Sequence, residues 1–152
     1  MRRITLVTAL ALALMGALPA VADQRTYYDA VGDSSNPDFD MIKLTHGHDG
    51  GVLVHKITFR GQVLDDGAPE FYIRVGKGKK PDFLLTGGGV FRAGTLRKVG
   101  EAAIKAVDRD TVRYRFRAKA INRPDSYEWR AHFGSGSTLD KAPSHYVTHV
   151  LR

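Results

Sequence analysis

The chain has 152 residues, no cysteine, and 23 Lys and Arg against 16 Asp and Glu, for a formal charge of +7. The absence of cysteine excludes a disulfide framework, a thiolate metal site and a cysteine nucleophile. The basic balance suits anionic neighbours such as cell-wall polymers, lipid headgroups or nucleic acid, or serves solubility alone.

Met1 to Ala22 reads as a secretory signal peptide. Arg2 and Arg3 open it, Ile4 to Leu18 is almost wholly apolar, and Ala20-Val21-Ala22 is a small-x-small cleavage site before Asp23. An apolar run of about 15 residues is shorter than the roughly 20 that a membrane-spanning helix needs. No cysteine follows the cleavage point, which excludes a lipoprotein, and the arginine pair lacks the flanks of a twin-arginine signal. The expectation is a leader over 1–22 and one secreted domain over 23–152, without a transmembrane anchor. The secreted part keeps 21 basic and 16 acidic side chains, a formal charge of +5, and its 130 residues are enough to bury a core. Small extracellular eukaryotic domains use disulfides, so an exported chain without cysteine points to bacterial export.

From Asp23 to Asp38 the chain is polar and turn-rich, which predicts an ordered loop or extended lead-in. Short alternating runs follow, and they predict strands over Asp40 to His46, Val52 to Arg60, Glu70 to Val75, Asp82 to Leu85 and Val90 to Arg92. Further strands are predicted over Leu96 to Val99, Ala103 to Val107, Thr111 to Ala118, Tyr127 to Phe133 and His145 to Leu151. Gly100 to Ala106 fits a helical turn as well as a strand. Hairpins are predicted at His48-Asp49-Gly50-Gly51, at Gly87-Gly88-Gly89 and at Asp108-Arg109-Asp110. Runs of this length and spacing point to an all-β antiparallel sandwich of the jelly-roll or immunoglobulin-like kind.

The alternation assigns faces. Val112, Tyr114, Phe116 and Ala118 oppose Arg113, Arg115 and Arg117, and Tyr127, Trp129, Ala131 and Phe133 oppose Glu128, Arg130 and His132. Phe71, Ile73 and Val75 oppose Tyr72 and Arg74, while Leu53, His55, Ile57 and Phe59 oppose Val54, Lys56 and Thr58. The candidate ligand-binding residues are therefore Arg113, Arg115, Arg117, Arg130 and Arg74, a cationic stripe that Lys56 extends. Glu70, Glu101 and Glu128 neutralise it only in part. Nucleic acid calls for aromatics interleaved with the cations, and here all but Tyr72 fall on the core-facing register. An anionic or saccharide surface ligand is the better match.

Asp29, Asp33, Asp38 and Asp40 cluster around Gly32 and offer the hard oxygen ligands that Ca²⁺ prefers, with Asp140 a further ligand if the chain ends meet. The spacing is not an EF-hand loop, and turn chemistry explains the same residues without a metal. His46-x-His48 shares a strand face, and with His145 and His149 forms a second candidate set for Zn²⁺ or Cu²⁺. No G-x-S-x-G elbow, P-loop or dinucleotide-binding glycine pattern is present. Gly76-Lys77-Gly78-Lys79-Lys80 lacks the spacing of a phosphate loop and reads as a basic hairpin tip.

The segments Asp29-x-x-Gly32-Asp33, Pro37-Asp38-Phe39-Asp40-Met41-Ile42, Glu70 to Val75 and Asp140-Lys-Ala-Pro143 occur in the order found in small secreted bacterial β-sandwich domains. The chain resembles the DOMON and family-9 carbohydrate-binding modules in this respect. The resemblance implies a sandwich fold, a structural Ca²⁺ near the acidic segment, and non-catalytic binding of sugars or haem. The chain departs from that pattern in lacking an exposed aromatic pair to clamp a sugar and a Met/His axial pair for haem. The functional expectation is a non-enzymatic secreted binding module for an anionic or saccharide component of the cell envelope or its surroundings. The alternative is a small secreted enzyme or inhibitor with loop-borne active residues.

Overall fold

The computed structural model describes residues 22–63, 67–134 and 139–151. The leader expected over Met1 to Ala22 therefore lies, but for Ala22, outside the described residues. Ten strands follow in chain order. They are β1 (Ala22–Tyr28), β2 (Met41–Asp49), β3 (Val52–Phe59), β4 (Glu70–Arg74), β5 (Phe83–Thr86), β6 (Gly89–Arg92), β7 (Lys98–Ala106), β8 (Thr111–Arg117), β9 (Ser126–Phe133) and β10 (Asp140–Val150). A short 3-10 helix, Ala118–Ile121, links β8 to β9.

The fold is all-β and antiparallel, as the alternation predicts. The strands make one ten-stranded sheet in the order β1-β2-β3-β8-β7-β6-β5-β4-β9-β10, curled nearly into a barrel. The physical reason lies in β7. Its first half pairs with β6 through Glu101, Gly100 and Lys98, and its second half pairs with β8 from Ala102 to Ala106. The two short strands expected over Leu96 to Val99 and Ala103 to Val107 are this one strand, which belongs to both halves of the sheet. Gly100 permits the close packing of this strand against the 3-10 helix, because a Cβ there would lie 2.5 Å from Cβ of Ala120.

The predicted hairpins form. Asp49 pairs with Val52 across Gly50 and Gly51, both at positive φ (52° and 81°), the conformation that a two-residue turn matched to strand twist requires. Thr86 pairs with Gly89 in the second hairpin, and Val107 N–H donates to the Thr111 carbonyl in the third. β1 has no counterpart among the predicted strands. It sits at the sheet edge and pairs only with β2, so its residues need no alternating apolar pattern. β10 starts at Asp140, earlier than the predicted His145, and its register on β9 shifts between Ala142 and Val147.

On β3, β4, β8 and β9 the positions predicted inward are buried, except that Phe133 and Val75 are half-buried, while Val54, predicted to face outward, is buried as well. Trp129, Tyr114, Tyr127, Phe71 and Phe83 are the largest fully buried side chains, packed with Met41, Leu44, Leu53, Ile57, Ile73 and Leu85. Tyr114 Oη–H donates to the Pro69 carbonyl at 3.0 Å, so its burial leaves no unpaired hydroxyl. The interior is mostly apolar, with His46, His55 and His149 buried among the aromatic rings. Among the described residues no helix is long and apolar enough to cross a membrane.

Closure is made by side chains. β2 and β10 pack together without a backbone ladder. At one end Met41 N–H donates to Asp140 Oδ2 at 2.5 Å, and at the other His48 Nδ1 lies 3.2 Å from His149 Nε2. The close approach at Gly100 supplies a test of the packing of β7 on the 3-10 helix. Gly100→Ala should lower stability by about 1–3 kcal/mol, the usual cost of overpacking, and adding Ala120→Gly should restore the melting midpoint. Independent effects of the two substitutions in calorimetry would show that the strand and helix do not touch as described.

Candidate functional site

Three groups of polar side chains occupy distinct places on this barrel. The first lies on its outer surface. Arg113 stands between Lys105 of β7 and Lys56 of β3 in direct cross-strand register. Arg115 and Arg117 continue along β8 toward the 3-10 helix and are exposed, while Arg113 is half-buried. Among the described residues none of these five cations has a carboxylate within 4.0 Å, and Glu101, the acid beside Arg117, is 2.7 Å from Lys98 Nζ. Cross-strand like charges are destabilising unless they are neutralised.

The expected stripe divides here. Arg74 on β4 and Arg130 on β9 are separated from β8 by β7, β6 and β5 in the sheet order. Arg74 is 3.5 Å from Glu128 and its guanidinium lies 3.3 Å from the centre of the Tyr146 ring. Arg130 donates to the carbonyls of Pro143 (3.0 Å) and Lys141 (3.4 Å) across the irregular part of β10. Both guanidinium groups are engaged locally, and the cationic face consists of β8 and its two neighbours. Lys105 was not among the predicted residues, because only the register of β7 on β8 reveals it.

The second group is acidic. One oxygen from each of Asp29, Asp33 and Asp140 lies within 4.8 Å of the others. The chain ends do meet, since Asp140 begins β10 beside the start of β2. Asp40 borders the group but is already held: its Oδ2 is 2.5 Å from Arg60 Nε and accepts the Gly32 N–H at 2.8 Å. Asp38 serves the adjoining turn, where its Oδ1 accepts the Gln62 N–H at 2.8 Å. Asp140 is buried, and its Oδ1, Asp29 Oδ2 and Asp40 Oδ1 are buried without a hydrogen-bond partner. Burial, with Asp33 and Asp29 nearby, pushes the Asp140 carboxyl up to about 7. Burial also raises Asp29, and burial with the contact to Asp40 raises Asp33.

The third group is histidine, inside the barrel near its other end. His46 and His48 share a face as their spacing predicts, and His149 joins them across the seam, the ring centres of His46 and His149 being 4.1 Å apart. His145 does not join; it is exposed and contacts Ser144 Oγ. His55, already assigned to the core face by the alternation of β3, completes the cluster and hydrogen-bonds Tyr127 Oη at 2.8 Å. Trp129 Nε1–H donates to His46 Nδ1 at 2.6 Å, which fixes the neutral ring with its proton on Nε2. Coordination through Nε2 needs that proton removed, so His46 is a buried donor, not a ready metal ligand.

Two open cavities adjoin the cationic face. One, of about 420 Å³, is lined by His48, Arg117, Lys119 and Arg123 among others. The second, of about 530 Å³, has an apolar floor of Val52, Val99 and Phe116 between Arg115, Arg117 and Lys119. Lys119 and Arg123 escape a strand-alternation argument because they lie on the 3-10 helix and the turn after it. No protein-family model matches the chain, and no significant match is found among curated proteins or solved structures.

The histidines give the fold a pH dependence. Burial, with His149 beside it, lowers His46 to about 3; burial, with His48 beside it, lowers His149 to about 4; and burial lowers His55 well below 6.5. Below pH 6.5 the unfolded chain binds protons that these folded rings refuse. Their contribution is complete above 6.5 and is lost as pH falls, down to about 4 for His149 and about 3 for His46. Asp140 acts oppositely, because a raised carboxyl contributes stability below 3.8 that is lost as pH rises toward about 7. His55→Phe should flatten the fall in stability below pH 6.5 by about 1.4 kcal/mol per pH unit. Denaturant melts followed by Trp129 fluorescence at several pH values would measure this, and an unchanged slope would contradict a neutral buried ring.

Proposed function

We propose that this protein is an exported, non-enzymatic β-barrel module that binds an anionic or saccharide component of the cell envelope or its surroundings. The binding surface is the outer face of β8 with its neighbours β3 and β7. The observation that carries the reading is the row Lys105, Arg113, Lys56, three cations opposite one another across three strands and without an ion pair among the described residues. A polyanion laid across that row and along Arg115 and Arg117 replaces repulsion with charge-assisted hydrogen bonds. The aromatic side chains of these strands point into the core, which favours an acidic polymer over single-stranded nucleic acid, whose bases need stacking partners. Export rests on the leader pattern of Met1 to Ala22.

A structural Ca²⁺ held by Asp29, Asp33 and Asp140 accompanies this reading. The support is chemical: three carboxylates converge at 4.8 Å or less, and two of them carry a buried oxygen with no partner. Such oxygens are costly unless protonated or bound to a cation, and the set is hard and all-oxygen. Arg60 is paired with Asp40, and among the described residues none of these three carboxylates has a cation within 4.0 Å.

Retention on an immobilised polyanion such as heparin should fall with added salt and be lost in the Arg113→Ser, Arg115→Ser, Arg117→Ser triple variant. Retention that survives the triple substitution would remove the β8 face as the site. For the metal, addition of Ca²⁺ to chelator-treated protein should raise the melting midpoint by several degrees, because a ligand bound only to the folded state stabilises it. Asp140→Asn should abolish that rise. A midpoint indifferent to Ca²⁺ in the parent protein would show that these carboxylates share protons instead.

A further inference from the structure

We propose that the cavity at the β2–β3 hairpin end of the barrel is a specific site for a monosaccharide-sized phosphate ester, at which the β8 face ends. This inference rests on the anion-binding reading and names the ligand class for one part of that surface. The cavity holds about 420 Å³, within the range of small-molecule sites. Its wall carries Arg117, Lys119 and Arg123 against one carboxylate, Asp125. No acid lies within 4.0 Å of any of these three cations among the described residues.

The three cations come from different backbone settings and are brought together by the turn after β8. Arg117 ends the strand, Lys119 lies in the 3-10 helix, and Arg123 lies in the connection to β9. That connection is made by two consecutive residues in left-handed conformation, Asn122 at φ 68° and Arg123 at φ 47°. Asn122 accepts this geometry as the C-terminal cap, with its N–H directed to the helix carbonyls. Arg123 is neither glycine nor asparagine, and it is held there by its N–H bond to the Ala118 carbonyl at 2.9 Å. A branchless residue would serve the turn better. An arginine kept in a disfavoured conformation on a cavity wall points to a use for its guanidinium.

The opposite side is set by His48, whose Nδ1 is engaged by His149, so that Nε2 is the nitrogen left to the cavity. Leu53, Pro124 and Leu151 add apolar wall, against which the carbon face of a sugar ring can lie. Two guanidinium groups and an ammonium match the oxygens of a dianionic phosphate, since planar arginine forks bind phosphate in bidentate fashion. A single carboxylate engages only part of this set.

Calorimetric titration of the full-length protein with glucose 1-phosphate tests the site, with glucose, inorganic phosphate and glucuronate as the other arms. Glucose 1-phosphate should bind, glucose should not, and inorganic phosphate and glucuronate should bind about tenfold more weakly or worse. Lys119→Ser and Arg123→Gly should each weaken sugar-phosphate binding about tenfold, while Lys80→Ser, at an exposed cation between β4 and β5, leaves it unchanged. Arg123→Gly also separates function from folding, because glycine relieves the left-handed backbone and the melting midpoint should hold or rise as binding is lost. Binding unchanged in both variants, equal affinity for glucuronate, or no binding at about 10 mM glucose 1-phosphate would overturn the site. Those failures with heparin retention still lost in the triple variant would leave the β8 surface standing. Sugar-phosphate binding that depends on Arg123, with retention indifferent to Arg113 and Arg115, would reject the extended surface and keep the cavity.

Discussion

The barrel closes across β2 and β10 without the backbone ladder that joins the other neighbouring strands. Two strands that pack together without exchanging N–H and C=O bonds must be held by what their side chains supply. Here the supply is a carboxylate on a backbone N–H at one end, Asp140 to Met41, and a pair of imidazoles at the other, His48 to His149. Both closures are polar and both sit against buried apolar surface, where an unpaired group is expensive. The two remaining clusters grow from these points: the acidic group around Asp140 and the histidine group behind His48.

That arrangement explains why the polar interior is confined to the seam. Away from it, inward positions are aromatic or aliphatic, and Trp129 and Tyr127 spend their polar atoms on His46 and His55. His46, His55 and His149 thereby share a low-dielectric space in which burial holds them neutral. At the other end the carboxylates face the opposite difficulty, because once ionised they can only accept hydrogen bonds and few donors reach them. Arg60 satisfies one oxygen of Asp40, and the remainder is the chemistry of a cation site or of shared protons.

The outer surface divides its cations by use. Arg74 and Arg130 hold β4, β9 and β10 together through Glu128, Tyr146 and carbonyls of the irregular strand. Among the described residues Arg113, Arg115 and Arg117 have no carboxylate within 4.0 Å. The same residue type, at the same alternating positions, is structural on one side of the barrel and unneutralised on the other. Acidic or carbonyl neighbours make the difference, and they arrive through strand pairing.

Period-two alternation identifies most strands and the inward faces of β3, β4, β8 and β9, and turn residues such as Asp49-Gly50 identify all three hairpins, because each depends on neighbours within a few residues. Tyr114, Trp129, Phe71 and even His55 were assigned to the core in this way. The acidic ligand set was legible as a group of aspartates, with Asp140 conditional on the chain ends meeting. What the chain could not convey was pairing between distant strands. The continuity of β7 through Gly100, which joins the two halves of the sheet, depends on register with β6 and β8. The separation of Arg74 and Arg130 from β8, the place of Lys105 opposite Arg113, and the convergence of Lys119 and Arg123 with Arg117 depend on it too. Sequence determined which side of each strand is wet and which is dry, since side-chain direction is a local property of the backbone. Only the tertiary structure decided which charges meet, because that is set by contacts up to a hundred residues apart, such as His48 with His149.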